Sequence, residues 1–259
     1  MQPEIDVFGL SIKTFGLTFA LGFLAAGAVV GRRLREQGRP VDWAYEIAFV
    51  SLVGGIVGAK VYWAVQHIGD GGLFSNLFSG VGLVWYGGVI GGALGVLLWA
   101  WHRGVLDLLT VDACAVPLAL GNAIGRIGCQ LSGDGDYGRA WHGPWAMAYP
   151  NGTVPTDTPV HPTPIYETLA MGLIAWGLWQ LRDRVRPGVL FALYLVLAGL
   201  ERFLVEFIRR NADVVVGLTA PQLESLVMIA GGAVWLWALA RRGPLRAAPA
   251  RPRRVPATA

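Results

Sequence analysis

An all-α protein that crosses a membrane seven times is what this sequence predicts, and three observations carry the prediction. Only 15% of the 259 residues are charged, against about 25% in an ordinary soluble domain. The chain is 54% hydrophobic, and its mean hydropathy is +0.50. Apolar blocks of about 20 residues, the length that crosses a ~30 Å hydrocarbon core, recur between short polar segments from one end to the other. These features exclude a typical soluble enzyme and a disordered chain. They leave no polar segment large enough to fold as a separate domain.

The first span, Thr14 to Gly31, follows the opening Met1, Gln2, Pro3, Glu4, Ile5 and Asp6. That opening lacks the basic residues of a secretory signal, so the span is expected to be retained. The second, Trp43 to Val65, and the third, Val81 to Trp101, carry glycines four apart: Gly54 with Gly58, and Gly87, Gly91 and Gly95 beside Gly88 and Gly92. This spacing lets helix backbones approach closely in lipid. Gly87 and Gly88 are also expected to leave room for a substrate. The fourth span, Val111 to Leu131, contains the polar, flexible run Gly121 to Gly128, tolerated at membrane depth only against protein or a wet cavity. Gly121 and Gly125 form its own glycine pair.

For the fifth span, Thr163 to Leu181, Thr163 is predicted as the N-cap with Pro164 at the first helical position. The sixth runs from Gly188 to Ile208, and the seventh, Ala220 to Ala240, opens with a capping box of Thr219 and Gln222. Residues 1–242 read as one membrane domain with a long outer loop at 132–162. Residues 243–259, rich in Pro, Ala and Arg, read as a disordered basic tail.

Lys and Arg in short loops stay on the cytoplasmic side, which fixes an expected orientation. Fourteen of the 21 basic residues fall on one side of the spans: Arg32, Arg33, Arg35, Arg39, Arg103, Arg182, Arg184, Arg186 and six between Arg241 and Arg254. The other side has Lys13, Arg139, Arg209 and Arg210, while Lys60, Arg126 and Arg202 lie within spans. The N-terminus is therefore expected outside and the C-terminus in the cytoplasm. Arginines at span ends fit anchoring beside anionic lipid headgroups, so the net charge of +4 does not argue for nucleic acid.

An ionisable group inside a span costs at least about 2.5 to 3.5 kcal/mol on insertion scales, so each needs a partner or a task. Several occur here, among them Lys60, Arg126, Glu167, Glu201, Arg202 and Glu206. Arg202 and Glu206, four apart, share a helix face, as do Asn122 and Arg126. A guanidinium holds two oxygens of a phosphate ester at once and keeps its charge when desolvated. Arg126 and Arg202 are thus the expected phosphate cradle for a membrane phospholipid. Glu206 would orient Arg202, and Lys60 would either join the cradle or snorkel to the interface.

The outer loop carries Asp134, Asp136, Tyr137, Arg139, His142, Asp157 and His161, and a loop of this length is usually functional or disordered. No metal-binding spacing appears among its Asp and His residues, and no metal or cofactor is expected. Two cysteines, Cys114 and Cys129, both in one apolar stretch, make no disulfide or zinc framework.

Three separated motifs complete the reading: Gly125-Arg126-Ile127-Gly128, His161-Pro162-Thr163-Pro164-Ile165-Tyr166-Glu167, and Arg202-Phe203-Leu204-Val205-Glu206-Phe207-Ile208-Arg209. Their order and setting resemble the prolipoprotein diacylglyceryl transferase family across about residues 10–240. The resemblance implies a bacterial inner-membrane enzyme whose partners are phosphatidylglycerol and prolipoprotein signal peptides with a lipobox cysteine. Such an enzyme moves a diacylglyceryl group to the cysteine thiol and releases glycerol phosphate.

It implies that Arg126, Arg202 and Glu206 are essential residues, that His161 and Glu167 match the His-Pro-x-x-x-Tyr-Glu element, and that Gly138 matches a required glycine. The family signature continues Gly-Arg-x-Gly-Asn-Phe-x-Asn-x-Glu; here Cys129 and Ser132 replace the asparagines and Asp134 the glutamate. Tyr86 precedes Gly87 and Gly88 where well-studied members carry a histidine proposed as the base. These departures leave open a diverged phospholipid-dependent transferase with another acceptor. A lipid or anion transporter is the other class, disfavoured because there is no clear internal repeat and seven spans do not halve evenly.

Overall fold

The computed structural model describes residues 1–7, 10–70, 77 and 84–247. Among them are seven α-helices: α1 Thr14–Glu36, α2 Trp43–Gln66, α3 Trp85–His102, α4 Leu108–Ser132, α5 Thr163–Leu181, α6 Val189–Glu206 and α7 Ala220–Arg241. Each corresponds to an expected span, with ends shifted by local chemistry. Helix α4 starts earlier than expected because Asp107 caps it, its carboxylate accepting from the Thr110 N–H at 2.8 Å. It then runs unbroken through the polar Gly121 to Gly128 segment. Helix α3 starts at Trp85, and the expected start at residues 81–83 lies outside the described residues. Helix α6 stops at Glu206 rather than Ile208, which leaves Arg209 on the turn that follows.

The capping box on α7 is present: Gln222 N–H donates to Thr219 Oγ1 at 3.4 Å, and Thr219 N–H donates to Gln222 Oε1 at 3.0 Å. The cap expected on α5 is not. Pro162 takes the N-cap position, Thr163 is the first helical residue, and its hydroxyl donates instead to the Asp136 carbonyl at 2.5 Å. A side chain expected to close a helix end thus ties down the outer loop.

The helices pack chiefly as α2 along α3, α6 along α7, α1 along α4 and α4 along α5. The α2–α3 contact follows from the glycines. A Cβ at Gly58 would collide with the Gly87 carbonyl, and one at Gly54 or Gly91 with the carbonyl facing it. Gly87 and Gly88 therefore pack on α2, against Gly58, Tyr62, Gly55 and Ala59, and do not present open space to a substrate as expected. Nothing lies within 4 Å of a Cβ at Gly125; on α4 the close contact is made by Gly128 against Thr18 of α1.

Small residues also fill the centre between α4, α5 and α6, where Ala115, Ala119, Ala123, Met171, Ala175 and Ala198 are buried. The outward faces are apolar, with Leu24 70%, Trp101 71%, Leu173 67% and Val227 73% exposed. Apolar surface of this extent needs lipid or a partner over it. Helices α1, α2, α4 and α7 are long and apolar enough to cross a membrane. The chain is a multi-pass helical membrane protein.

Short antiparallel hairpins decorate the helices: β1 Glu4–Val7 with β2 Leu10–Lys13, β3 Met147–Tyr149 with β4 Thr156–Val160, and β5 Asp213–Val215 with β6 Leu218–Thr219. The outer loop is ordered around β3 and β4. Tyr137 stacks on Tyr149 at 4.7 Å, and Gly133, at φ +60°, ends α4 pressed against Gly152. Beyond α7 the chain does not run free. Arg186 N–H donates to Leu245 O and Ala247 N–H to Arg184 O, both at 2.9 Å, so order extends past the expected limit at 242 through Ala247. The tail beyond it lies outside the described residues.

Candidate active site

Charged side chains from α4, α5, α6 and the outer loop meet in one buried cluster. Glu167, 2% exposed in its side chain, sits at its centre. One oxygen lies 2.8 Å from Arg209 Nη1 and 3.6 Å from Arg202 Nη1, and the other is ion-paired with Arg126 Nε. Arg202 Nη2 lies 2.8 Å from Glu206 Oε2, one helical turn along α6. Glu206 Oε1 accepts from Asn211 Nδ2 at 2.6 Å and Thr219 Oγ1 at 2.8 Å. Asp136 bridges Arg126 and Arg209, one oxygen to each.

Burying such charges costs several kcal/mol per ion unless they are well paired. Here pairing is close to complete; Glu206 Oε2, ion-paired with Arg202, is buried without a hydrogen bond, and two further groups are incompletely paired. Arg202 Nη1 is buried without a hydrogen-bond partner, its nearest carboxylate oxygen being the one at 3.6 Å. Glu201, half-buried beside Arg202, makes no ion pair among the described residues. The free guanidinium donor is a contact that an anionic ligand would complete.

The loop after α4 is held onto the cluster by its backbone. Gly138 N–H donates to His161 O and Arg139 N–H to Ile208 O, both at 2.8 Å. A Cβ at Gly138 would lie 2.5 Å from the Ile208 carbonyl and 2.9 Å from the His161 Cβ, so only glycine fits. Burial works against ionisation of Asp136, yet Arg209 and Arg126 hold its carboxyl below the usual carboxylate range. Asp134 is the reverse: burial and the neighbouring Asp136 charge push its carboxyl up. One Asp134 oxygen accepts from the Asp136 N–H at 3.2 Å.

The other expected site residues divide. Arg126, Glu167, Arg202 and Glu206 come together, with Gly138 and Asp134 at the rim. Asn122 shares the Arg126 helix but is exposed. Lys60 lies over the Trp63 ring at 5.2 Å on α2, a helix that packs on α3 and α1 rather than on the helices of the cluster. His161 stacks on Trp141 at 4.4 Å, with Nδ1 3.3 Å from the Tyr166 hydroxyl, which accepts from Trp145 Nε1 at 2.7 Å. Burial lowers its pKa. The side chain of Tyr86 lies outside the described residues.

Sequence patterning misses Arg209 and the role of Asp136. It places Arg209 in an outer loop, although this residue ends the third motif three positions after Glu206, the spacing of a shared helix face. Asp136 offers no such signal, because the loop fold alone brings it back over α4. Cys129, Asp134 and Asp136 place possible metal-ligand atoms within 4.8 Å of one another. Two guanidiniums on Asp136 make that group a poor seat for a cation.

An arginine–carboxylate centre enclosed by apolar helices defines the class: a multi-pass membrane protein with a charged cluster inside it. The chain belongs to the prolipoprotein diacylglyceryl transferase family, whose description under that name matches residues 4–238. It is similar to proteins named phosphatidylglycerol–prolipoprotein diacylglyceryl transferase. One from Clostridium tetani is 33% identical, over 81% of this chain and 86% of its own. One from Erythrobacter litoralis is 31% identical, over 93% and 91%. A second protein of this name from Clostridium perfringens is 30% identical, over 88% and 91%.

Proposed function

We propose that this protein transfers the diacylglyceryl group of phosphatidylglycerol to the lipobox cysteine thiol of prolipoproteins in a bacterial inner membrane. The observation that carries the reading is the buried cluster of Arg126, Arg202 and Arg209 with one guanidinium donor unused, in a chain of this family. The acceptor thiol gives its proton to water or to the substrate's phosphate, its sulfur attacks the glyceryl carbon of the lipid, the carbon–oxygen bond breaks, and its electron pair leaves on the phosphate of glycerol phosphate. Arg126 and Arg202 neutralise that phosphate as its charge develops, with donors already oriented before the reaction. Glu206 and Glu167 orient the guanidiniums, while Asp134, Gly138 and His161 shape the outer rim. Tyr86 occupies the position of the family's proposed base. There its hydroxyl acts either as a donor to a phosphate or ester oxygen or, beside an arginine, as the base itself.

This reading keeps seven spans, the N-terminus outside, and one membrane domain over most of the chain. The arginine count at the span ends supports that orientation. The test is expression in cells depleted of their own transferase, following prolipoprotein mobility with labelled lipid. Lipid attachment is expected. Its absence, with the protein folded in the membrane, would favour another acceptor for the lipid group. Cys129 is the residue that would suggest a covalent carrier, since its sulfur lies 3.9 Å from Arg126 Nη1 where the family has an asparagine. Cys129→Ser should keep substantial activity, and a lipid adduct trapped on Cys129 would overturn direct transfer.

A further inference from the structure

A cavity of about 350 Å³ opens above the cluster, lined by Gly135, Asp136, Tyr137, Arg209, Arg210 and Asn211. Its size is at the small end of the range for small-molecule sites. Three of its walls, Asp136, Arg209 and Asn211, are shared with the buried centre. Arg209 has Nη1 on Glu167, at 2.8 Å, and Nη2 on Asp136. Asn211 donates to Glu206, the partner of Arg202.

The remaining charged wall, Arg210, is different. It is exposed, has no carboxylate within ion-pair distance among the described residues, and is held in place by neutral contacts. Its guanidinium lies 4.2 Å from the Tyr137 ring centre, and Nη2 donates to the Gly135 carbonyl at 3.2 Å. Arg202, Arg209 and Arg210 therefore form a ladder of cations. It begins at a guanidinium with an unused donor inside the protein and ends at one without a counter-charge at the cavity.

We infer that this cavity binds a phosphate monoester and is the exit seat of the water-soluble product. The inference rests on the transferase reading, in which the group left behind is glycerol phosphate. Such a product carries more negative charge on its phosphate than the diester it came from, and it has lost the acyl chains that held it in lipid. It cannot leave through hydrocarbon, where an isolated charge is expensive. Arg209, which holds Glu167 and also lines the cavity, joins the two ends of the ladder and gives that charge a route outward. Asp136 does not close that route, because two guanidiniums already neutralise it. Planar, fixed guanidiniums suit a phosphate with several free oxygens.

The test is calorimetric binding to the purified full chain in detergent, with glycerol phosphate, inorganic phosphate and a short-chain phosphatidylglycerol as separate ligands. Wild type should bind glycerol phosphate. Arg210→Gln should weaken that binding at least tenfold and Arg210→Lys by a smaller factor, because the charge remains without the planar fork. The short-chain lipid should lose less than threefold in Arg210→Gln. Unchanged glycerol phosphate affinity in Arg210→Gln, or no wild-type binding at millimolar ligand, would overturn the inference. Equal losses for the monoester and the lipid would overturn it in favour of a headgroup seat. A match between inorganic phosphate and glycerol phosphate would still support a phosphate seat, because the phosphate is the group recognised. Binding needs no turnover. A protein that binds glycerol phosphate through Arg210 but lipidates no prolipoprotein would refute the transferase reading while supporting the anion seat.

Discussion

Two charge networks in this molecule use the same residue types to opposite ends. At the end expected to face the cytoplasm, Arg33 lies 2.6 Å from Asp183 and 3.1 Å from Glu36, and Arg182 lies 3.0 Å from Glu36. Arg182 and Arg32 also lie over the Trp179 ring, at 3.8 and 4.9 Å. The arginines of the two networks are similarly covered, Arg33 12% and Arg182 17% exposed against 17% for Arg126 and 23% for Arg202, but the first network opens to water at its carboxylates, Asp183 62% and Glu36 27% exposed. At the other end the carboxylates of Glu167 and Glu206 are 2% and 0% exposed.

The difference decides what each network is for. Exposed pairs gain about 0 to 1 kcal/mol and can be exchanged or lost with little consequence. Buried charges carry a desolvation penalty that pairing only offsets, so a cluster of six is kept for a task rather than for stability. An unused guanidinium donor does not separate the two networks, since Arg33 Nε and Arg202 Nη1 are both buried without a hydrogen-bond partner; the burial of the carboxylates does.

The sharpest way to break the comparison is to remove one carboxylate from each network. Glu167→Ala leaves three guanidiniums without their shared partner and should destabilise the protein by about 3 to 5 kcal/mol. A large drop in melting temperature in detergent, or failure to accumulate, is the expected readout. A melting temperature within a degree or two of wild type would show that the buried pairs are as dispensable as the exposed ones.

Next in size are Arg126→Lys and Arg202→Lys. A point charge does not reproduce a planar fork, so each variant should still insert in the membrane while losing roughly a hundredfold or more in turnover. Near-normal transfer in either would remove that arginine from the site.

The smallest effect belongs to the exposed network. Hydrogen bonding from Arg182, assisted by Arg33 and Arg32, holds the Glu36 carboxyl at about 2, against an ordinary value of 4.5. A depressed carboxyl pKa stabilises the folded state above the unfolded pKa, and the contribution fades as pH falls through the folded value. Glu36→Gln should therefore cost under about 1 kcal/mol at neutral pH. The gap between variant and wild type should close between about pH 4.5 and 2 in thermal unfolding followed across pH. A gap that persists at the acid end would mean that Glu36 acts by packing rather than by charge.

Both networks are only partly legible in the sequence. Arg202 and Glu206 are four apart on one helix, and that spacing alone announces their pairing. The capping box of Thr219 and Gln222 is similarly local and forms as expected. Thr163 shows the limit of such rules. Its hydroxyl leaves the helix end for the Asp136 carbonyl, because Pro162 already takes the cap position and the loop supplies a buried acceptor. The glycines of α2 and α3 announce close helix contact, but not that Gly87 and Gly88 spend it on α2.

The sequence by itself determined the helices, their apolar faces and the charges that cannot rest in lipid. Each follows from a property counted along the chain: block length, a 3.6-residue period, or the cost of an isolated ion. Tertiary structure alone decided which of those charges meet. Arg126, Asp136, Glu167 and Arg209 are separated by a loop and two helices, and no local periodicity relates them. Gly138, closely packed under the Ile208 carbonyl, lets the loop lie low enough for Asp136 to reach two arginines. Long-range electrostatic pairing is set by where packing places the backbone, and packing is a property of all the helices at once.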